Sequence, residues 1–337
     1  MISLEWVKDY IDISDQDLEE LAVKITQSGI NVEKVITNHI NNLVIGEVLE
    51  CVAHPDSDHL HVCKVNVGNI TEQIVCGAPN VREGLKVIVA LPGAVLPGDF
   101  EIKKSKIRGV ESNGMLCALY ELGLEEKNDE TYAKGIEELG ADAPVGEDPL
   151  KYLGLDDTLY ELDIHKHRNN DCYYHIGFAY EIGAILNRPV TLPDLSFKED
   201  QNNVENYFTL DVETEKCPFY LAKMVKNAKI GESPEFIKKR LLAAGMRPIN
   251  NVVDISNYVM LEFGQPLHFF DKNRLGNHIL VRDAKDKEEV ITLDGKRRIL
   301  SSNDIVITDG NRPVCIAGVM GGENTEVEQD TTDILIE

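Results

Sequence analysis

Apolar residues in this chain recur with two different periods, and the change from one to the other divides it into blocks. After Ser14, the residues Leu18, Leu21, Ala22 and Ile25 fall at i, i+3, i+4 and i+7, one face of an amphipathic helix. Ser14 and Asp17 resemble a capping pair, Gly29 suits a helix end, and residues 1–38 read as helical. From about Leu43 the helical period is lost. The stretches 43–52, 60–67, 73–76 and 86–90 are short and rich in Val and Ile. Turn residues separate them: His54-Pro55-Asp56, Gly68-Asn69, Gly77-Ala78-Pro79-Asn80 and Pro92-Gly93. Several short strands with little helix, running to about residue 150, predict a small barrel or sandwich.

Clean alternation returns at 158–164, with Tyr160, Leu162 and Ile164 on one face and Glu161 and Asp163 on the other. A helix follows, with Cys172, Ile176, Ala179, Gly183 and Leu186 along one side and Pro189 and Pro193 closing it. The polar stretch 197–206 reads as a linker. The last block predicts strands at 208–212 and 220–225. Next comes a helix with Ser233 as N-cap, Pro234 at its first position, the stripe Phe236, Ile237, Leu241 and Ala244, and Gly245 as its stop. A second helix covers about 252–262. Asp294-Gly295 and Asp309-Gly310 each mark a hairpin. This block reads as α+β with antiparallel strands.

Composition narrows the class. The chain has 337 residues, enough for two or three domains, and its 43% hydrophobic and 27% charged content is ordinary for a globular protein. Lys plus Arg is 34 and Asp plus Glu is 58, a net charge of −24. Nucleic acid would meet such a body only at a local basic patch. The seven cysteines are widely spaced without a C-x-x-C, which argues against a zinc site or a disulfide framework and for reduced thiols. The N-terminus carries no signal-peptide pattern, and no run is long and apolar enough for a membrane span.

The most basic run is Lys103, Lys104, Lys106 and Arg108, with Glu101 against it. It could hold phosphates, or it could be a solvated strand that keeps an edge from aggregating. His175-Ile176-Gly177-Phe178 and Lys103-Lys104-Ser105-Lys106 imitate the two signatures of class I synthetases. They stand in the opposite chain order, and His175 falls in an amphipathic helix, so a packed histidine is the better reading. His165, His167 and His175 form a loose group without clear ligand companions, a poor metal site. P-loop and serine-hydrolase motifs are absent. His268 stands between apolar residues in Gly264–Asp271, and three glycines crowd Ala317–Glu323. Either stretch could admit a ligand, and equally each could be a satisfied core histidine or a tight turn.

With those stretches, the chain closely resembles the N-terminal part of the β chain of bacterial-type phenylalanyl-tRNA synthetases. The resemblance runs from Leu4 to Glu337. It is carried by His54-Pro55-Asp56-Ser57-Asp58, Ile74-Val75-Cys76-Gly77-Ala78-Pro79-Asn80, Gly93-Ala94-Val95-Leu96-Pro97-Gly98 and Gly114-Met115-Leu116-Cys117. Arg247-Pro248-Ile249-Asn250-Asn251-Val252-Val253-Asp254, Gly264–Asp271 and Gly318–Glu323 continue it.

The resemblance implies an α+β multidomain chain. An OB-fold β-barrel that binds tRNA (39–151) is inserted in a small split α/β domain (1–38 and 152–195). An α+β editing domain of B3/B4 type (205–337) follows and is C-terminally incomplete. It further implies a cytoplasmic ligase that attaches phenylalanine to tRNA(Phe), with a catalytic α chain as partner in a heterotetramer. ATP and Mg2+ serve the complete enzyme, and no cofactor belongs to this portion. Family chains are far longer, and the ligands for magnesium and the contacts with the α chain lie in the part beyond. In the family, residues matching Arg247, Ser256, Asn257, His268, Gly321 and Glu337 line a pocket that hydrolyses tyrosine wrongly attached to tRNA(Phe). Glu337 would accept the tyrosine hydroxyl, Gly321 would leave room for the ring, and His268, Ser256 and Asn257 would position the ester and a water.

Two departures bear on these roles. The family usually has Thr-Pro-Asn-Arg in the loop where this chain has His165-Lys166-His167-Arg168. His59 and His61 stand where the barrel commonly has Lys and Arg, which weakens phosphate attraction at pH 7. The alternative is a non-catalytic tRNA-binding module, a shortened relative that has lost editing. A free-standing deacylase is a third reading.

Overall fold

The helical stripe near the N-terminus forms the helix Leu18–Ser28, which buries Leu21, Ala22 and Ile25. In this computed structural model, which describes residues 1–125 and 127–337, the cap is Asp17. Its carboxylate accepts the Glu20 N–H at 2.9 Å, while Ser14 bonds Asp12. Asp17 stands directly before the first helical residue, where a short acidic side chain reaches an orphan N–H. Residues 1–38 are not helical throughout, as the pattern suggested. Ile2–Ser3 and Asn31–Thr37 are strands, and they flank Thr158–Asp163 in a three-stranded sheet. Their pairing partner lies far along the chain, so local periodicity carries no sign of it.

The helix His175–Leu186 begins at His175, later than the stripe from Cys172 implied, and covers this sheet. Leu4, Trp6, Leu21, Ile25, Tyr160 and Phe178 form the core. Tyr258, Leu261 and Phe263, from the helix Asn251–Phe263, pack against the same core. The Tyr10 hydroxyl donates to the Glu262 carboxylate, and Arg240 donates to the Tyr258 hydroxyl at 2.7 Å. Residues 1–36 and 158–337 accordingly form one compact unit, and residues 37–157 form another.

Residues 37–157 hold a six-stranded antiparallel sheet. Its order is Met115–Cys117, Lys86–Ala90, Leu43–Ala53, His61–Asn66, Thr71–Cys76, with Glu138–Leu139 also on Lys86–Ala90. The four strands read from the sequence are all present. The Asn113 N–H donates to the Gln73 carbonyl at 2.8 Å, which draws the two ends of the sheet together. Val48, Cys63, Val65, Ile74 and Val87 are buried on the inner face.

Beyond residue 205 the two Asp-Gly hairpins form as expected: Glu289–Ile291 with Arg297–Ile299, and Ile305–Thr308 with Pro313–Ile316. The second belongs to a five-stranded sheet ordered Thr209–Val212, His278–Asp283, Ile305–Thr308, Pro313–Ile316, Met320–Gly321. Its first pair is parallel, a departure from the all-antiparallel expectation. A second sheet places Ile334–Ile336 between Lys223–Val225 and Phe269–Asp271. Ser233 does not cap the Glu235–Ala243 helix; its hydroxyl donates to the buried Asp254 carboxylate instead. Asn250 caps the Asn251–Phe263 helix, accepting the Val252 and Val253 N–H groups at 3.0 Å each.

Candidate functional site

His268 and Glu337 are brought together by the smaller sheet. The His268 N–H donates to the Glu337 carbonyl at 3.2 Å, and the Glu337 N–H returns a bond to the His268 carbonyl at 2.8 Å. This reciprocal pair extends the ladder between Phe269–Asp271 and Ile334–Ile336 by one residue. Directly opposed residues of an antiparallel pair project to the same face. Both side chains therefore reach one cavity of about 680 Å³. Glu337 directly follows the central strand of its sheet.

Gly321 enters from the edge of the five-stranded sheet, opposite Cys315. A Cβ built on it would stand 2.2 Å from His268 Cε1 and 2.6 Å from Nε2. Any side chain here would displace the imidazole, so glycine is required for the histidine to sit where it does. The ring also meets Phe270 edge-on, with centroids 4.4 Å apart. No group among the described residues hydrogen-bonds the His268 ring nitrogens.

Electrostatics follow from burial. Desolvation holds His268 down to about 4, so the imidazole is neutral at pH 7. It also pushes the Glu337 carboxyl up to about 7, with the nearby Tyr220 hydroxyl offsetting part of the rise. Glu337 Oε2 and the Tyr220 hydroxyl are both buried, and neither completes a well-formed hydrogen bond among the described residues. Cys315 also lines the cavity, but burial and the Glu337 carboxylate push its thiol well above the ordinary range. A thiol so held is a poor nucleophile. Phe219, Leu221 and Val319 make an exposed apolar rim, between 66% and 75% accessible.

The other three candidates lie off this cavity. Ser256, on the Asn251–Phe263 helix, donates to the Leu267 carbonyl at 3.0 Å and so tethers the loop that carries His268. Asn257 follows it on the same helix, half-buried. Arg247 is exposed in the loop before that helix.

Lys106 and Arg108 fall on a hairpin, Ser105–Ile107 with Val110–Ser112, and Lys103 and Lys104 lie in the segment leading into it. Arg108 and Gly109 turn it with φ of +44° and +85°, both in the left-handed region. The His54–Asp58 motif braces this hairpin. The Arg108 guanidinium donates to the Asp56 carbonyl at 2.9 Å, and His54 Nε2 bonds the Ile107 carbonyl at 3.1 Å. Lys103 pairs with Glu101 at 2.8 Å and Lys106 with Glu111 at 3.7 Å. Lys104 has no such partner among the described residues. His165 and His167 stack on one another, whereas His175 is buried against Trp6. No group of three His, Cys, Asp or Glu residues among the described residues could hold a metal ion.

Comparison with known proteins accounts for both regions. Residues 43–148 match a family described as "Putative tRNA binding domain", and residues 216–337 match the B3/4 domain. The phenylalanine–tRNA ligase β subunit of Geobacillus kaustophilus is 50% identical over 343 aligned positions, covering 100% of this chain and 42% of that one. That of Bacillus subtilis is 46% identical, with the same coverage. The chain belongs to the phenylalanine–tRNA ligase β-subunit family. It corresponds to an N-terminal portion and spans less than half the length of those relatives. A solved N-terminal fragment of the phenylalanyl-tRNA synthetase β subunit from Pyrococcus horikoshii aligns at 16% identity and a TM-score of 0.31, covering 54% of this chain and 55% of that one.

In this chain, sequence reasoning missed Tyr220. It was read only as the start of a strand, yet it lines the cavity together with Glu337. The available signal was a tyrosine flanked by two apolar residues, Phe219 and Leu221, that the fold leaves exposed. No helix among the described residues is long and apolar enough to cross a membrane.

Proposed function

We propose that this chain binds tRNA(Phe) through residues 39–151 and that its B3/4 cavity hydrolyses tyrosine wrongly esterified to that tRNA. The observation that carries the second half is the pairing of His268 with Glu337 in one cavity, with a buried carboxylate oxygen left unpartnered. A pocket selective for an apolar ring rejects an isostere with one extra hydroxyl only about 10²-fold. Tyrosine is therefore the natural error of a phenylalanine enzyme. An acceptor for that hydroxyl reverses the preference, since phenylalanine would leave the acceptor buried and unpaired, at about 1–3 kcal/mol.

In this reading the Glu337 carboxylate accepts the ring hydroxyl. His268, neutral and weakly basic, positions the ester and a water and does not draw off a proton, since a general base works best with a pKa near the operating pH. Water attacks directly, because Cys315 is too weakly acidic to serve. Ser256 supports the His268 loop. Gly321 makes room first for the imidazole.

The curled sheet of residues 37–157 supports an OB-fold, with Lys103, Lys104, Lys106 and Arg108 meeting phosphate. We retain the split domain of residues 1–38 and 152–195 and the editing domain from 205 to 337. The complete enzyme would act in the cytoplasm with an α chain that activates phenylalanine with ATP and Mg2+; no step of the hydrolysis is routed through either.

The test is deacylation of purified tyrosyl- and phenylalanyl-tRNA by the ligase assembly carrying each variant. His268→Ala should slow both esters by a similar factor, on the order of 100-fold. Glu337→Ala should slow the tyrosyl ester and narrow the preference for tyrosine over phenylalanine by about tenfold or more. Aminoacylation should be unchanged in both. A second reading is favoured by the Glu337 carboxyl standing at about 7, the profile of a general base. Equal loss on both esters in Glu337→Ala would establish that role and remove the specificity role.

A further inference from the structure

Two polar atoms in this cavity are buried without a partner, and they are complementary. The Tyr220 hydroxyl belongs to the segment before the Lys223–Val225 strand, and Glu337 Oε2 belongs to the residue after the Ile334–Ile336 strand, which pairs with it. The two side chains are neighbours, close enough for each to shift the other's ionisation, but neither the Tyr220 hydroxyl nor Glu337 Oε2 completes a well-formed hydrogen bond among the described residues. Buried groups left in this condition are uncommon, because each forfeits its bonds to water. The phenol stays protonated, since burial and the adjacent carboxylate both oppose its ionisation. It is thus an O–H donor, and the carboxylate is an acceptor.

A ligand hydroxyl has both capacities on a single atom. Placed between the two, it would donate its hydrogen to Glu337 and accept the Tyr220 hydrogen on its oxygen. Neither residue alone makes that demand. A carboxylate by itself takes any donor, including an aromatic amine. The phenol adds a requirement for a lone pair on the same atom, which an aniline nitrogen, conjugated with its ring, offers poorly.

Resting on the reading that this cavity takes a tyrosyl ester, we propose that Tyr220 is a second specificity-determining residue, donating to the ring hydroxyl that Glu337 accepts. Tyr220 is half-buried and lines the cavity together with Glu337, His268 and Gly321. Leu221 and Cys315 line the same cavity.

The experiment is Tyr220→Phe in the complete ligase assembly, with deacylation of tyrosyl-, phenylalanyl- and 4-aminophenylalanyl-tRNA. The expected result is a fivefold to tenfold lower kcat/KM for the tyrosyl ester, the worth of one neutral hydrogen bond, with the other two esters unchanged. Thermal stability should be unchanged or slightly raised, because the deleted hydroxyl completes no well-formed hydrogen bond among the described residues. An equal loss on all three esters, or a lowered melting temperature with selectivity intact, overturns the proposal and makes Tyr220 a packing residue.

Calorimetric binding of tyrosinamide and phenylalaninamide separates this from the editing reading. If the wild-type assembly leaves tyrosyl-tRNA intact, the editing reading falls. A preference for tyrosinamide that disappears in Tyr220→Phe still supports the role of Tyr220. A binding preference that is absent in the wild type, or unaltered in Tyr220→Phe, overturns it.

Discussion

His175 and His268 are both held down to about 4 by burial, yet their surroundings differ. His175 sits in the core around Trp6, with its ring stacked on the indole at 3.9 Å. Its Nε2 accepts the Ser3 N–H at 3.1 Å, and its Nδ1 donates to the Leu261 carbonyl at 2.8 Å. Both nitrogens are used. His268 is equally neutral, but its nitrogens are unpartnered and it shares its cavity with two more unpartnered atoms. A perturbed pKa by itself therefore does not mark a functional histidine. What marks it is hydrogen-bonding capacity that the protein has left unused. The same criterion divides the basic run, where Lys103 and Lys106 are answered by Glu101 and Glu111, and Lys104 pairs with no acid among the described residues.

The largest test of that contrast is His175→Ala. It would leave the Ser3 N–H and the Leu261 carbonyl unpaired and open a void beside Trp6. The expected loss is on the order of 3–5 kcal/mol, read by urea unfolding, with ester hydrolysis by the folded fraction unchanged. His268→Ala should instead stay within about 1 kcal/mol of the wild type in stability, because no hydrogen bond to its ring is lost. A stability loss in His268→Ala as large as that in His175→Ala would erase the distinction.

Acid titration sharpens the comparison. Each histidine has a folded pKa below its unfolded value, so the unfolded chain binds protons first as pH falls. Stability is complete above about pH 6.5 and declines toward pH 4, by at most about 3 kcal/mol per histidine. His268→Gln should lose one share of this decline and retain the share due to His175. Glu337 acts with the opposite sign. Its folded pKa of about 7 exceeds the unfolded value, so its burial costs stability as pH rises from about 4.5 to 7. Glu337→Gln should therefore be more stable than the wild type above pH 7 and equal to it below about pH 4.5. A gain that persists at pH 4 would assign the effect to packing.

The smallest expected effect is on the hairpin. Lys104→Ala should flatten the log–log salt dependence of tRNA binding by about 1, and Lys103→Ala or Lys106→Ala by less, because their paired acids already offset them. Equal effects from all three lysines would show that these exposed ion pairs open on binding, as weak surface pairs can.

Much of this was legible in the chain itself. The Leu18–Ser28 stripe, the four strands from Leu43 to Ala90 and the two Asp-Gly hairpins are local patterns whose periods and turn residues specify them without help from distant partners. The family resemblance named His268, Gly321 and Glu337, and these three converge. It also named Arg247, Ser256 and Asn257, which the fold places outside the cavity; Ser256 acts on it through Leu267.

The remainder needed the tertiary structure. Asn31–Thr37 is a strand because Thr158–Asp163 lies beside it, and Ser233 gave up a capping role for a bond to Asp254 on another helix. Whether a histidine is spent or available depends on what packs around it: Ser3 and Leu261, far apart in the chain, both hydrogen-bond His175, while no group among the described residues hydrogen-bonds the His268 ring. Tyr220 became part of the site only when the Lys223–Val225 and Phe269–Asp271 strands closed on the two sides of Ile334–Ile336. Periodicity and turn chemistry are properties of neighbouring residues and can be read from sequence. Partner satisfaction is a property of groups brought together from far apart, and only folding decides it.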